Sequence, residues 1–151
     1  MSEIKIVDLS QDEDPADYLA ESKSLVARLV ARLAERGLIP TTLSVRDFFD
    51  DCGDFEIALF DGVTAWLLDE GVIRQTDAAI GDDEDERIVW KTLVLTSFGF
   101  GSLDRKLDGG LTLGEAMKSA SSSNRSDRSW SSVGDLIGGV LGGFTKSLGS
   151  G

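Results

Sequence analysis

The stretch from Asp54 to Gly71, DFEIALFDGVTAWLLDEG, constrains the fold more than any other part of the chain. Asp54 can accept hydrogen bonds from the free amides of a helix start, Gly71 can stop the helix, and no proline interrupts the run. At 3.6 residues per turn Phe55, Leu59, Val63 and Trp66 share one face, widened by Phe60 and Leu67, and that face is expected to be core. The opposite face carries Ile57, Asp61, Thr64 and Leu68 and is expected to be an exposed partner surface. The segment also holds Glu56, Asp69 and Glu70 but neither lysine nor arginine. A helix that reads DNA needs the reverse, because affinity for phosphate comes chiefly from basic side chains.

A chain of 151 residues is about one domain by length and can bury a core without disulfides or metal. Cys52 is the only cysteine and there is no histidine, which excludes an internal disulfide, a histidine metal site, a Cys-His nucleophile pair and a Ser-His-Asp triad. The aspartates and glutamates sit in hydrophilic runs that keep carboxylates solvated, so no enzymatic activity and no cofactor are expected. The opening MSEIKIVDLSQDEDP lacks a basic stretch followed by an apolar one, and no run of about 18 apolar residues occurs, so the expected location is cytoplasmic. The net charge of -12 is uneven: residues 1 to 110 carry 24 acidic and 11 basic side chains, and residues 111 to 151 carry three and four. Specific binding of duplex DNA is therefore not expected, and a membrane contact is open only to the C-terminal part.

Residues 4 to 9, IKIVDL, have the β-branched character of an edge strand, and the acidic turn after them closes at Pro15. A helix is expected from about Ala16 to Arg36, with a core stripe of Leu25, Val26, Leu29, Val30 and Leu33 and a stop at Gly37. Arg28, Arg32 and Arg36 line another face as a solvated row with local ion pairs. Pro40 and Thr41 break the chain, and Ser44 with Asp47 has capping-box spacing for a short helix holding Val45, Phe48 and Phe49. Cys52, among carboxylates in the turn that follows, reads as structural rather than reactive. Beyond Gly71, VIRQT and RIVWKTLVLT form a hairpin around an acidic loop. The run Asp82 to Glu86 lacks the alternating ligands and distal glutamate of a calcium loop, so a solvated, self-repelling tip is expected there. Thr96 caps a last short helix, SFGFGSLDRKL.

This order of helix, helix-turn-helix, two strands around a loop and a helix resembles the winged-helix superfamily across residues 16 to 107. GVIRQT followed by LVLTSFGFGSL is similar to the wing of small bacterial and phage proteins, in which a strand ending in Leu-Thr feeds a last helix through a glycine. The resemblance implies an α+β, mainly helical fold with a three-helix core and a β-hairpin wing. It also implies DNA binding through the second helix of the helix-turn-helix, here residues 54 to 70, from which this chain departs in its acidic helix and acidic loop.

The composition changes after Asp108. Thr112 and Glu115 have capping-box spacing for one or two helical turns, and SASSSNRSDRSWSS is expected to be a flexible linker. Val133, Leu136, Ile137, Val140, Leu141, Phe144 and Leu148 then fall on a helical stripe, with Ser132 and Asp135 spaced to cap it. Gly134, Gly138, Gly139, Gly142 and Gly143 each cost about 1 kcal/mol of helix propensity relative to alanine. The segment is therefore expected to stay unfolded in water and to become helical only against a partner, a lipid surface or a second copy. The expected organisation is a strand and acidic turn at 1–15, a winged-helix-like domain at 16–110, a short helix and linker at 111–132 and an amphipathic tail at 133–151. The expected role is that of a non-enzymatic adaptor or regulator with a protein partner. The alternatives are a DNA-binding regulator or an acidic mimic of DNA that inhibits a nucleic-acid-binding protein.

Overall fold

The computed structural model describes residues 15–76, 83–106, 110–122 and 127–141. Among them the chain is α+β, with five helices and one three-stranded antiparallel sheet. The expected strand at residues 4 to 9 lies outside the described residues.

Helix α1 (Pro15–Arg36) is the central element. Proline suits a first helical turn, where its missing amide costs no internal hydrogen bond, and Gly37 takes φ of 62° to end the helix. The four consecutive residues Ser24, Leu25, Val26 and Ala27 are all buried, as are Leu29, Val30 and Leu33. A single-sided amphipathic helix leaves such a run partly exposed, so α1 must be covered from two sides. One side packs on helix α2 (Asp54–Asp69) and strand β3 (Lys91–Leu95). The other packs on helix α5 (Asp127–Leu141), its most extensive helical neighbour. Phe60, Leu67, Leu43, Leu93 and Leu95 complete the core between α1, α2 and the sheet.

Strand β1 (Thr41–Leu43) follows Pro40 directly, so the chain does not simply break there. It pairs antiparallel with β3, Thr42 facing Thr92 with their hydroxyls 3.0 Å apart. Strand β2 (Ile73–Gln75) takes the other edge, giving the order β1-β3-β2. Ser44 and Asp47 make the expected reciprocal cap, but on a single 3-10 turn (Val45–Asp47) rather than a helix. Two arginines of the row on α1 clamp that turn: the Arg28 guanidinium donates to the Phe48 carbonyl and lies 5.6 Å from the Phe48 and Phe49 ring centres. Arg32 reaches Asp47 at 3.6 Å.

Helix α3 (Ser97–Leu103) is capped by Thr96, whose hydroxyl accepts from the Gly99 amide. Helix α4 (Leu113–Ser122) begins with the reciprocal bonds between Thr112 and Glu115 expected of its capping box. It buries Leu113, Met117 and Ala120 and absorbs the first four residues, 119–122, of the segment expected to be a flexible linker. Helix α5 starts at Asp127, six residues before the expected stripe, so Ser132 and Asp135 are internal and do not cap it. Trp130, Val133 and Ile137 are buried at i, i+3 and i+7, and Gly134 and Gly138, each next to one of them, are buried as well. Glycine is required at 134, since a Cβ there would lie 2.0 Å from the Lys23 carbonyl oxygen. Asp135 closes the seam with a 2.6 Å ion pair to Lys23. The tail helix therefore folds on the chain's own α1, which supplies the apolar surface that offsets its weak propensity.

Residues 83–87 do not form a self-repelling tip. The Asp83 carboxylate, 6 % exposed, accepts two 2.8 Å bonds from Arg46, one of 3.0 Å from the Trp90 indole and one from the Asp85 amide. Asp85 holds the Arg87 side chain and amide, and Arg87 also pairs with Asp54 at the start of α2. Hydrogen bonds from Arg46 and the Asp85 amide hold the Asp83 carboxyl well below its usual range. Arg87 lowers Asp85 to about 2. Both groups bind protons more weakly folded than unfolded, so their stabilisation is present above about pH 4 and is lost progressively as pH falls below it, through about 2 for Asp85 and lower still for Asp83. Asp83→Asn should accordingly lower the melting temperature at pH 7, with the gap to wild type narrowing as pH falls from about 4 toward 2. An equal gap at pH 7 and pH 2.5 would show that the carboxylate charge contributes nothing.

Candidate functional site

The fold leaves the outward arc of α2 uncovered. Asp54, Ala58, Asp61, Gly62, Ala65 and Asp69 are all exposed along it. The buried arc is centred on Phe60, Val63, Thr64 and Leu67. Relative to the expected orientation the helix is rotated by about a quarter turn. Phe55, Leu59 and Trp66, expected in the core, are only half-buried. Ile57 and Thr64, expected to be exposed, are buried, Thr64 completely. The reason is that apolar residues occupy most of the circumference of α2, so its own pattern does not specify which arc α1 and the sheet cover. Thr64 satisfies its hydroxyl on the Phe60 and Asp61 carbonyls at 3.0 Å and receives Lys91 Nζ at 3.0 Å. Of the four residues expected as a partner surface, Asp61 is exposed and Leu68 is half-buried against the core.

The electrostatics of this face are acidic throughout. α2 carries no lysine or arginine, and its ends hold Asp54 and Glu56 at the start and Asp69 at the finish. Basic side chains near it are already engaged: Arg46 with Asp83, Arg87 with Asp54 and Asp85, Lys91 with Asp61 at 3.3 Å. Arg74 on β2 is exposed. Glu84 and Glu86 project from the loop beside the helix start.

Cys52 is half-buried and its thiol donates to the Phe49 carbonyl at 3.4 Å. Burial pushes the thiol pKa up, Arg46 opposes this, and Glu56 and Asp51 add to it, which keeps the group a thiol at neutral pH. No cluster of carboxylates and cysteine with the geometry to hold a metal ion occurs among the described residues. No helix there is long and apolar enough to cross a membrane.

Of the expected tail surface, Val133 and Ile137 are covered within the chain rather than available to a partner, and Leu136 is exposed. Val140 and Leu141 belong to the backbone of α5, with side chains outside the described residues, as are Phe144 and Leu148 altogether. Sequence reasoning passes over Ala58, Gly62 and Ala65, small residues at i, i+4 and i+7 between the carboxylates of α2. Only the structure shows that this arc faces outward, since Ala27 and Gly134 are equally small and are buried. The chain matches no protein-family model, no curated protein and no solved structure, so its surface is read from its own chemistry.

Proposed function

We propose that the protein is a non-enzymatic interaction module of winged-helix type, an adaptor or regulator whose α2 face meets a protein partner rather than DNA. The winged-helix reading is supported by the order α1, β1, 3-10 turn, α2, β2, β3 and by a sheet in which β3 lies between β1 and β2. The observation that carries the partner class is the exposed arc of α2, where Asp54, Asp61 and Asp69 alternate with small residues and no base is present. Phosphate contacts need lysine or arginine at this place, and carboxylates there repel the DNA backbone.

The test measures duplex DNA binding at about 50 mM salt, where phosphate contacts are strong, beside protein capture by immobilised full-length chain. The expected result is no submicromolar, sequence-dependent DNA binding, together with capture that weakens as salt rises and is lost in an Asp61→Lys, Asp69→Lys double variant. Submicromolar, sequence-dependent DNA affinity would overturn the reading. A second reading, mimicry of DNA by the acidic face, is favoured by the exposure of Glu84 and Glu86 beside the α2 carboxylates. Added duplex DNA releases the captured partner under that reading and leaves it bound under the first.

A further inference from the structure

Between the first half of α1 and the outer arc of α2 runs an open groove of about 280 Å³. Leu19, 43 % exposed, forms one wall, and Leu59 and Trp66 form the other. Val26 and Val63 make the floor, and Ala58 and Gly62 form a low lip four residues apart. Nothing lies within 4 Å of a Cβ built at Gly62, so this lip is open. Ser22 supplies the one hydroxyl in the lining. Sites for small molecules carry several convergent polar groups on an apolar wall, and this groove does not. A lip of small residues instead lets the backbone of another helix come close, with its larger side chains filling the space between the walls.

We propose that this groove receives an amphipathic helix of a partner protein whose apolar stripe is flanked by lysine and arginine. The proposal rests on the reading of α2 as a protein-contact face and names its partner's chemistry. Charge selects the occupant: Asp61 and Asp69 are exposed on α2 beside the lip, α2 itself carries no base, and although Lys91 of β3 reaches Asp61 at 3.3 Å, Asp69 keeps this edge acidic. A second copy of this chain, at net charge -12, is repelled. The sequence of residues 1–14, with Glu3, Asp8, Asp12, Glu13 and Asp14 against Lys5, lacks the basic flank of such an occupant. Anionic lipid is disfavoured for the same reason.

The probe is a 15-residue peptide of leucine and lysine with leucines at i, i+3, i+4 and i+7, titrated into the full chain and followed by amide chemical shifts. Two controls keep the length, one with glutamate in place of lysine and one with serine in place of leucine. The expected result is shifts at Leu19, Ala58, Leu59, Gly62 and Trp66 with the leucine-lysine peptide only. Gly62→Leu fills the groove from a site with free space, and it should weaken binding about tenfold or more while the melting temperature is held. Equal binding by the serine peptide, or undiminished binding to Gly62→Leu, would overturn the groove. Shifts confined to Asp54, Asp61 and Asp69 would also overturn it, while leaving α2 a protein-contact face. Absence of binding by the leucine-lysine peptide overturns the groove outright, and the capture experiment then decides the broader reading alone.

Discussion

Gly134→Val should unseat the last helix. At that position a Cβ would stand 2.0 Å from the Lys23 carbonyl oxygen, 2.5 Å from its carbon and 2.7 Å from the Lys23 Cα, all backbone atoms that cannot turn aside. The helices must separate, and separation uncovers Trp130, Val133 and Ile137 together. The cost should be at least about 3 kcal/mol, the upper end of what overpacking exacts, because lost burial adds to the clash. Indole emission should move to longer wavelength as Trp130 meets water, and proteolysis should appear between α4 and α5. The change would be small if α5 adjusted by a sliding motion, in which case Trp130 emission would stay where it is in the wild type. Gly139→Ala is the matched control, since its Cβ would meet nothing within 4 Å and a glycine is removed from the helix.

Phe60→Ala should be the costliest single truncation on α2, at about 3 to 5 kcal/mol in denaturant unfolding. Its side chain is 1 % exposed, its ring lies 6.0 Å from that of Phe48, and the Lys91 ammonium sits 5.6 Å above it. A cavity there would border α1, the 3-10 turn and the sheet at once, which limits collapse. Trp66→Ala should cost clearly less, because Trp66 is half-buried on the groove side. The opposite ranking would mean that the core arc of α2 lies where Trp66 points. The pair of measurements thus reads the rotation of the helix directly.

That rotation marks the limit of what the sequence disclosed. The bounds of α1 and α2 were legible because punctuation is local: Pro15, Gly37 and Gly71 act on the few residues beside them, although the cap at the start of α2 is Gly53, whose amide donates to Glu56, and not the expected Asp54, which pairs with Arg87. So were the caps at Ser44, Thr96 and Thr112, each a hydrogen bond spanning three residues or fewer. Facing is a different matter, since α2 is apolar on nearly every side and only the position of α1 selects its inner arc. β1 escaped notice because three residues after a proline carry no period, and its existence depends on β3, some 50 residues later. The acidic loop misled for a related reason. Charge repulsion was counted along the chain, whereas Arg46 and Trp90 arrive at Asp83 from elsewhere and turn one carboxylate into a fixed joint. At the tail, the glycines read as a weakness of the helix, yet Gly134 is what allows it to approach Lys23. The candidate surface followed the same pattern: its acidity was plain in α2, and the residues that make its groove were not, because one wall of that groove comes from α1.

The double covering of α1 also has a consequence for synthesis. Ribosomes release this helix early, and the helix that shields its far side is complete only at Leu141, roughly a hundred residues later. At translation rates of about 5 to 20 residues per second, that side of α1 waits on the order of 5 to 20 s for its cover. Throughout that interval the nascent chain presents an apolar strip beside a strongly acidic body, the kind of exposed surface on which chaperones act.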